Sequence, residues 1–141
     1  MTAAAGPDLA PALDGIRLIL HVLAATIWVG GQFTVTGLLP TVRRLGDDAP
    51  KQVARALARL LWPAYAVLVV TGFWNIAAVH ATNGGGAYQV VLGIKIGVVA
   101  LAGLGVWLHQ RATSRRGLAI WGSVGGTASI AALCLGVFLA G

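Results

Sequence analysis

The sequence is poor in charge and poorest in acid. Of its 141 residues 10% are charged, with 4 acidic against 10 basic residues and a net charge of +6. A soluble domain averages about 25% charged residues, so this deficit excludes an ordinary soluble globule. The basic residues are segregated rather than spread over one face, which argues against nucleic acid as a partner. A single cysteine, Cys134, excludes an intrachain disulfide and a cysteine-based metal cluster. It is expected to be small apolar filler in the last helix. There is no Gly-rich phosphate loop ending in Lys-Ser/Thr, no His-Glu-x-x-His, and no Ser/His/Asp set. The only adjacent carboxylates, Asp47 and Asp48, fall in a polar connection. The first eleven residues are rich in Ala and Pro, carry Asp8, and lack the basic region and cleavage site of a signal peptide; they are expected to form a short mature tail.

What the chain has in abundance is apolar length. Hydrophobic residues make up 57%, gathered into four runs of about twenty residues or more, as a spanning helix requires. The runs cover approximately residues 15–39, stopping at Pro40; 60–79, after an amphipathic lead-in over 51–60; 88–108; and 118–139. No domain-sized loop separates them. The expected fold is all-α, a single four-helix up-down transmembrane bundle over residues 1–141, with Pro63 a candidate kink in the second helix.

Charge sets the expected orientation. Arg43, Arg44, Lys51, Arg55 and Arg59 surround the first connection, and Arg111, Arg115 and Arg116 occupy the third; the second, residues 81–87, has none. The positive-inside bias places the first and third connections in the cytoplasm and both termini outside. Trp62, Trp107 and Trp121 then fall near the cytoplasmic boundary, where an aromatic belt is expected. Lys51, Arg55 and Arg59, one turn apart from each other, read as a solvated face against anionic headgroups. The expected location is multi-pass in a bacterial-type cytoplasmic membrane, with the lipid bilayer as first partner.

One stretch of the first run is out of character. Arg17, His21, Trp28 and Gln32 fall on one helical face, with Ala24 and Ala25 between them. Ionisable groups at membrane depth are costly and commonly functional. His21 lies about 9 Å below the outer end of its helix at 1.5 Å per residue. Lys95, which interrupts Leu92-Gly-Ile-Lys-Ile-Gly, lies at a similar depth in the third. No acidic residue occurs in any of the four apolar cores, so Lys95 needs a bound anion or a path for its head to the interface. Trp74, Asn75, His80 and Tyr88 are expected at the same level. His109 is on the face of Lys95 but roughly 21 Å lower and cannot join them.

A b-type haem would meet these demands together. His21 would be the axial ligand, Arg17 and Lys95 the cations for its propionates or for an anionic substrate, and Trp28, Gly30, Gly31 and Trp74 the walls. Copper is the competing metal, with His21 and His80 as ligands; the soft donors that select Cu(I) are scarce, only Met1 and Cys134. A third reading is an accessory subunit of a larger membrane complex, or a homodimer. The small-xxx-small steps Gly93/Gly97 and Gly122/Gly126 would suit close helix packing, while the Gly30–Gly31 pair serves packing and cofactor clearance equally.

The residues also resemble known families. His21-x6-Trp28-x-Gly30-Gly31, Val70-Thr71-Gly72-Phe73-Trp74-Asn75, and Tyr88 through Gly93-Ile94-Lys95 look like the small membrane domains of the copper-resistance protein D (CopD) type, over roughly residues 15–110. The histidine on helix one with the lysine on helix three also resembles HemJ-type protoporphyrinogen oxidases, four-helix membrane proteins associated with haem b. The HemJ resemblance implies His21 as ligand and Lys95 as functional partner; the CopD resemblance implies a link to copper.

Overall fold

An apolar run in lipid has no water for its N–H and C=O groups, and the helix satisfies them within the segment. The computed structural model describes residues 11–78 and 85–140, which form four α-helices. These are α1 (Ala12–Arg44), α2 (Ala49–Ala78), α3 (Gly86–Arg111) and α4 (Arg115–Ala140). All four are long and apolar enough to cross a membrane, which marks the chain as a multi-pass membrane protein. Large side chains stay exposed along them, among them Phe33, Phe73, Val137 and Phe138. An aqueous globule would bury such residues; lipid leaves them where they are.

The helices outrun their apolar cores. The first does not stop at Pro40, because a proline this close to a helix end removes only the bond to the Thr36 carbonyl. One further turn follows, closed by the Leu45 amide donating to the Val42 carbonyl (3.1 Å), and Gly46 at φ +136° turns the chain. The amphipathic lead-in and the second apolar core form one helix with Pro63 inside it. Ser114 caps α4, its Oγ accepting the Gly117 amide at 3.0 Å.

Packing is pairwise. α1 lies along α2 and α3 along α4, while α1 and α4 meet over a shorter stretch. α2 reaches α3 through side chains: the Tyr65 hydroxyl donates to the Val99 carbonyl (2.9 Å) and Trp62 Nε1 to Gln110 Oε1 (3.0 Å). At the crossing of α3 and α4, a Cβ on Gly105 would stand 2.7 Å from the Gly125 nitrogen and 2.8 Å from its Cα. Only glycine permits this approach.

The steps Gly93/Gly97 and Gly122/Gly126 do not make that contact. Gly93, Gly97 and Gly126 face open space, and Gly122 meets the ring of His109. Gly97 and Gly105 are eight residues apart and so roughly 80° apart around α3, which puts them on different faces.

The middle of the bundle is aromatic. Trp28 is 1% exposed, the largest fully buried side chain, and packs with Leu61 and Val106. Its ring centroid lies 4.6 Å from that of Tyr65 and 5.8 Å, edge-on, from that of Trp62. Each such pair contributes about 0.5–1.5 kcal/mol beyond the area it covers. Trp28 Nε1 donates to Ser129 Oγ (3.0 Å), as does Gln32 Nε2 (3.2 Å), and Ser129 passes its own proton to the Gly125 carbonyl (2.7 Å). That hydroxyl has its donor and both lone pairs in use.

Candidate functional site

The end of the bundle that carries the two termini is built differently. His21 on α1 meets Thr71 on α2, with Nδ1 2.8 Å from Thr71 Oγ1. Thr71 is 3% exposed, and its hydroxyl proton goes back to the Val67 carbonyl at 2.7 Å, with the Leu68 carbonyl at 3.2 Å. With its one proton on the Val67 carbonyl, Oγ1 accepts from His21. In the Nδ1–H tautomer this bond leaves Nε2 to carry the free lone pair. An imidazole held through one nitrogen by a polar neighbour, with the other open, is arranged as a metal ligand is. Gly72 follows Thr71, and a Cβ there would lie 3.7 Å from His21 Cε1, beside that open nitrogen. Glycine keeps the edge of the ring clear.

One turn nearer the termini is Arg17, 7% exposed. Asp14, inside the first turn of α1, bonds its Nη2 at 3.2 Å. The remaining donors, Nε and Nη1, are buried without a partner among the described residues. On α2 the corresponding position, one turn beyond Thr71, is Asn75, whose Oδ1 is also buried and unpartnered. Antiparallel helices pinned at His21–Thr71 bring these two residues to the same level. Buried polar groups are nearly always satisfied, and each exception calls for an explanation.

Lys95 approaches from α3. Its ammonium lies against α4 near that helix's last turns, where a Cβ on Gly136 would meet Nζ at 3.2 Å. Among the described residues it has no hydrogen bond and no carboxylate. His21, Arg17 and Lys95 are therefore brought to one end of the bundle.

The other candidates are placed elsewhere. Trp28 belongs to the central core, about two turns deeper than His21. A Cβ on Gly31 would strike Leu61 at 2.8 Å, so Gly31 serves helix packing, whereas Gly30 faces open space. Trp74 is 43% exposed, with no ring or hydrogen-bond contact among the described residues. His80 lies outside the described residues, so the His21–His80 pair belongs to the sequence alone. His109 is tied to the opposite end, Nδ1 lying 2.8 Å from the Leu118 carbonyl.

In the sequence Thr71 stood out only as part of the Val70–Asn75 motif, with no role of its own, and Ser129 not at all. Both are hydroxyls in apolar runs and both spend their proton on a carbonyl one turn back, a local bond that hides their second use as acceptors between helices. Asn75 was at the right level, but its unpaired burial is a property of the fold. Nothing in comparison with protein-family models, curated proteins or solved structures matches the chain.

Proposed function

We propose that the protein is an integral membrane redox protein that holds b-type haem at the termini end of the bundle, with His21 Nε2 as axial ligand. The observation that carries this reading is the Thr71–His21 hydrogen bond, which occupies Nδ1 and leaves the ring one further nitrogen for a ligand. A lone imidazole suffices for haem, since the porphyrin supplies the other four nitrogens; a bare metal ion needs several protein donors. Among the described residues no three His, Cys, Asp or Glu side chains gather as a metal site, which weighs against copper held by this chain alone.

The surroundings suit the group. The buried positions of α3 are Ala102, Gly103, Gly105 and Val106, all in the half away from the termini. Beside His21 the third helix is thus not closed onto the bundle. Arg17 and Lys95 are cations without enough anions, as two propionates would require, and Gly72 leaves the ligand edge open. Bound haem would supply one-electron transfer at the iron. The chain itself orients the imidazole through Thr71 and compensates the carboxylates through Arg17 and Lys95. The positive charge near both propionates and ring also favours the reduced state. With the basic connections in the cytoplasm, this end faces outward across a cytoplasmic membrane.

The test is the absorption spectrum of the detergent-purified protein, oxidised and dithionite-reduced. A Soret band with sharpened reduced bands, lost in His21→Ala and kept in His109→Ala, is the expected result. Unchanged haem in His21→Ala would remove the ligand assignment. A colourless protein containing stoichiometric copper would establish the copper reading instead.

A further inference from the structure

Arg17 and Asn75 are separate from the ligand nitrogen, and their unpaired atoms describe a recognition site of their own. Arg17 is more than nine-tenths buried, yet Nε and Nη1 make no hydrogen bond among the described residues. A buried donor on a charged group without a partner costs more than a neutral one, and here two occur on one side chain. Across the helix pair, Asn75 Oδ1 is buried at the same level with no donor within hydrogen-bond reach among the described residues. A half-turn of the amide places Nδ2–H at that buried position, and the choice between the two is set by whatever binds there. Three donors from two helices then converge on one level, one turn above the histidine.

Charge limits what can fill it. Asp14 offsets the guanidinium charge through Nη2 at 3.2 Å, and Lys95 has no carboxylate among the described residues, so with two cations and one anion this end accepts one further negative charge. A dianion would stand close to the Asp14 carboxylate and be repelled. We infer that Arg17 and Asn75 form a monocarboxylate-binding site, in which an acid oxygen accepts from Arg17 Nε or Nη1 and from the Asn75 amide. The carboxylate has two sources, a side chain of the haem or a free small acid. The inference shares Arg17 with the haem reading but does not depend on it.

The test uses Asn75→Leu, similar in size and without polar atoms, and two sets of probes. In the first, haem-free protein in detergent is melted with increasing sodium propionate at constant ionic strength, against sodium chloride and propionamide. A free-acid site gives a saturable rise in Tm for propionate only, reached at higher concentration in Asn75→Leu, which keeps only the Arg17 contact. In the second, haem and haem dimethyl ester are titrated into the same protein. A site for the haem's own carboxylate gives about tenfold weaker binding of the ester in the wild type, the scale of one charged hydrogen bond, and a smaller difference in Asn75→Leu, which keeps only the Arg17 contact.

Either positive arm supports the inference and names the source. No propionate effect together with equal haem and ester affinities would overturn it and leave the haem reading standing. If no haem binds at all, the haem reading fails and the propionate arm decides the site alone. Removing an unpaired buried oxygen leaves the ligand-free protein at least as stable, so a lower Tm of ligand-free Asn75→Leu would also overturn it, by showing that Asn75 is already paired.

Discussion

In the middle of the bundle the best-buried side chain is Trp28, whose ring meets two aromatics and whose only polar atom is bonded to Ser129. At the termini end the best-buried side chain on the same helix face is Arg17, with two donors unpaired. The two positions are 11 residues apart (28 − 17), or about three turns, on one stripe. In the middle the helices complete one another. At the end they leave a half-open nitrogen, an amide oxygen unpaired among the described residues, and two cations against one carboxylate. Lipid supplies no hydrogen bonds to such groups, and packing against apolar neighbours is little better than packing against acyl chains. The first region therefore reads as what holds the helices in place, and the second as what they are held in place for.

The largest expected effect lies in the middle. Trp28→Ala removes three partners at once and leaves the Ser129 acceptor facing a void; a loss of about 3–5 kcal/mol is expected. Unfolding in mixed micelles with increasing SDS, followed by helix circular dichroism, measures it. A loss under about 1 kcal/mol would mean that α1 and α4 are joined elsewhere and the contrast between the regions is misplaced.

Gly105→Ala comes next. Its Cβ would meet backbone atoms of Gly125, which cannot swing aside as a side chain can. Separation of α3 and α4 at their crossing is expected to cost about 1–3 kcal/mol. The same assay with Gly31→Ala gives an internal comparison, since there the clash is with the movable ends of Leu61 and Leu57, and the cost should be smaller.

At the termini end, Thr71→Val should reverse the balance between stability and function. Only one interhelical bond is lost, and such bonds in membrane proteins average about 0.6 kcal/mol. The imidazole, however, loses its partner at Nδ1, and haem retention on dilution should fall about 10-fold or more, as for the outer partners of metal-bound histidines. Thr71→Ser, which restores the hydroxyl, should recover most of the retention. Equal retention in Val and Ser variants would show that Thr71 does not orient the ligand.

Much of this contrast was legible in the sequence, and the rest was hidden for specific reasons. Helical spacing put Arg17, His21, Trp28 and Gln32 on one stripe, and that stripe does face inward, because period is a local property. What each residue meets depends on the neighbouring helix. Trp28 looked like a wall for a cofactor beside His21; two turns of depth and the arrival of Tyr65 and Trp62 make it core instead. Apolarity placed the start of the first span at Gly15, leaving Asp14 outside, whereas α1 begins at Ala12 and turns Asp14 onto Arg17. A glycine pair four apart looks the same whether it faces a helix or lipid.

That last ambiguity gives the smallest expected effect and a difference in sign. Gly97 and Gly105 lie on the same helix, eight residues apart, and are indistinguishable by composition. Around Gly97 there is open space, so Gly97→Ala adds a methyl group without collision. Alanine also lowers the backbone entropy lost in forming the helix, by up to about 1 kcal/mol relative to glycine. Gly97→Ala is therefore expected to leave the monomer unchanged or slightly more stable in the SDS titration, where Gly105→Ala weakens it. Destabilisation by Gly97→Ala of the same size, accompanied by a shift in oligomeric state by crosslinking in membranes, would mean that this face of α3 is covered by a second chain. The open surface at Gly93 and Gly97 would then be an interface, and the termini end, which the same helix borders through Lys95, would be completed by a partner rather than by a cofactor alone.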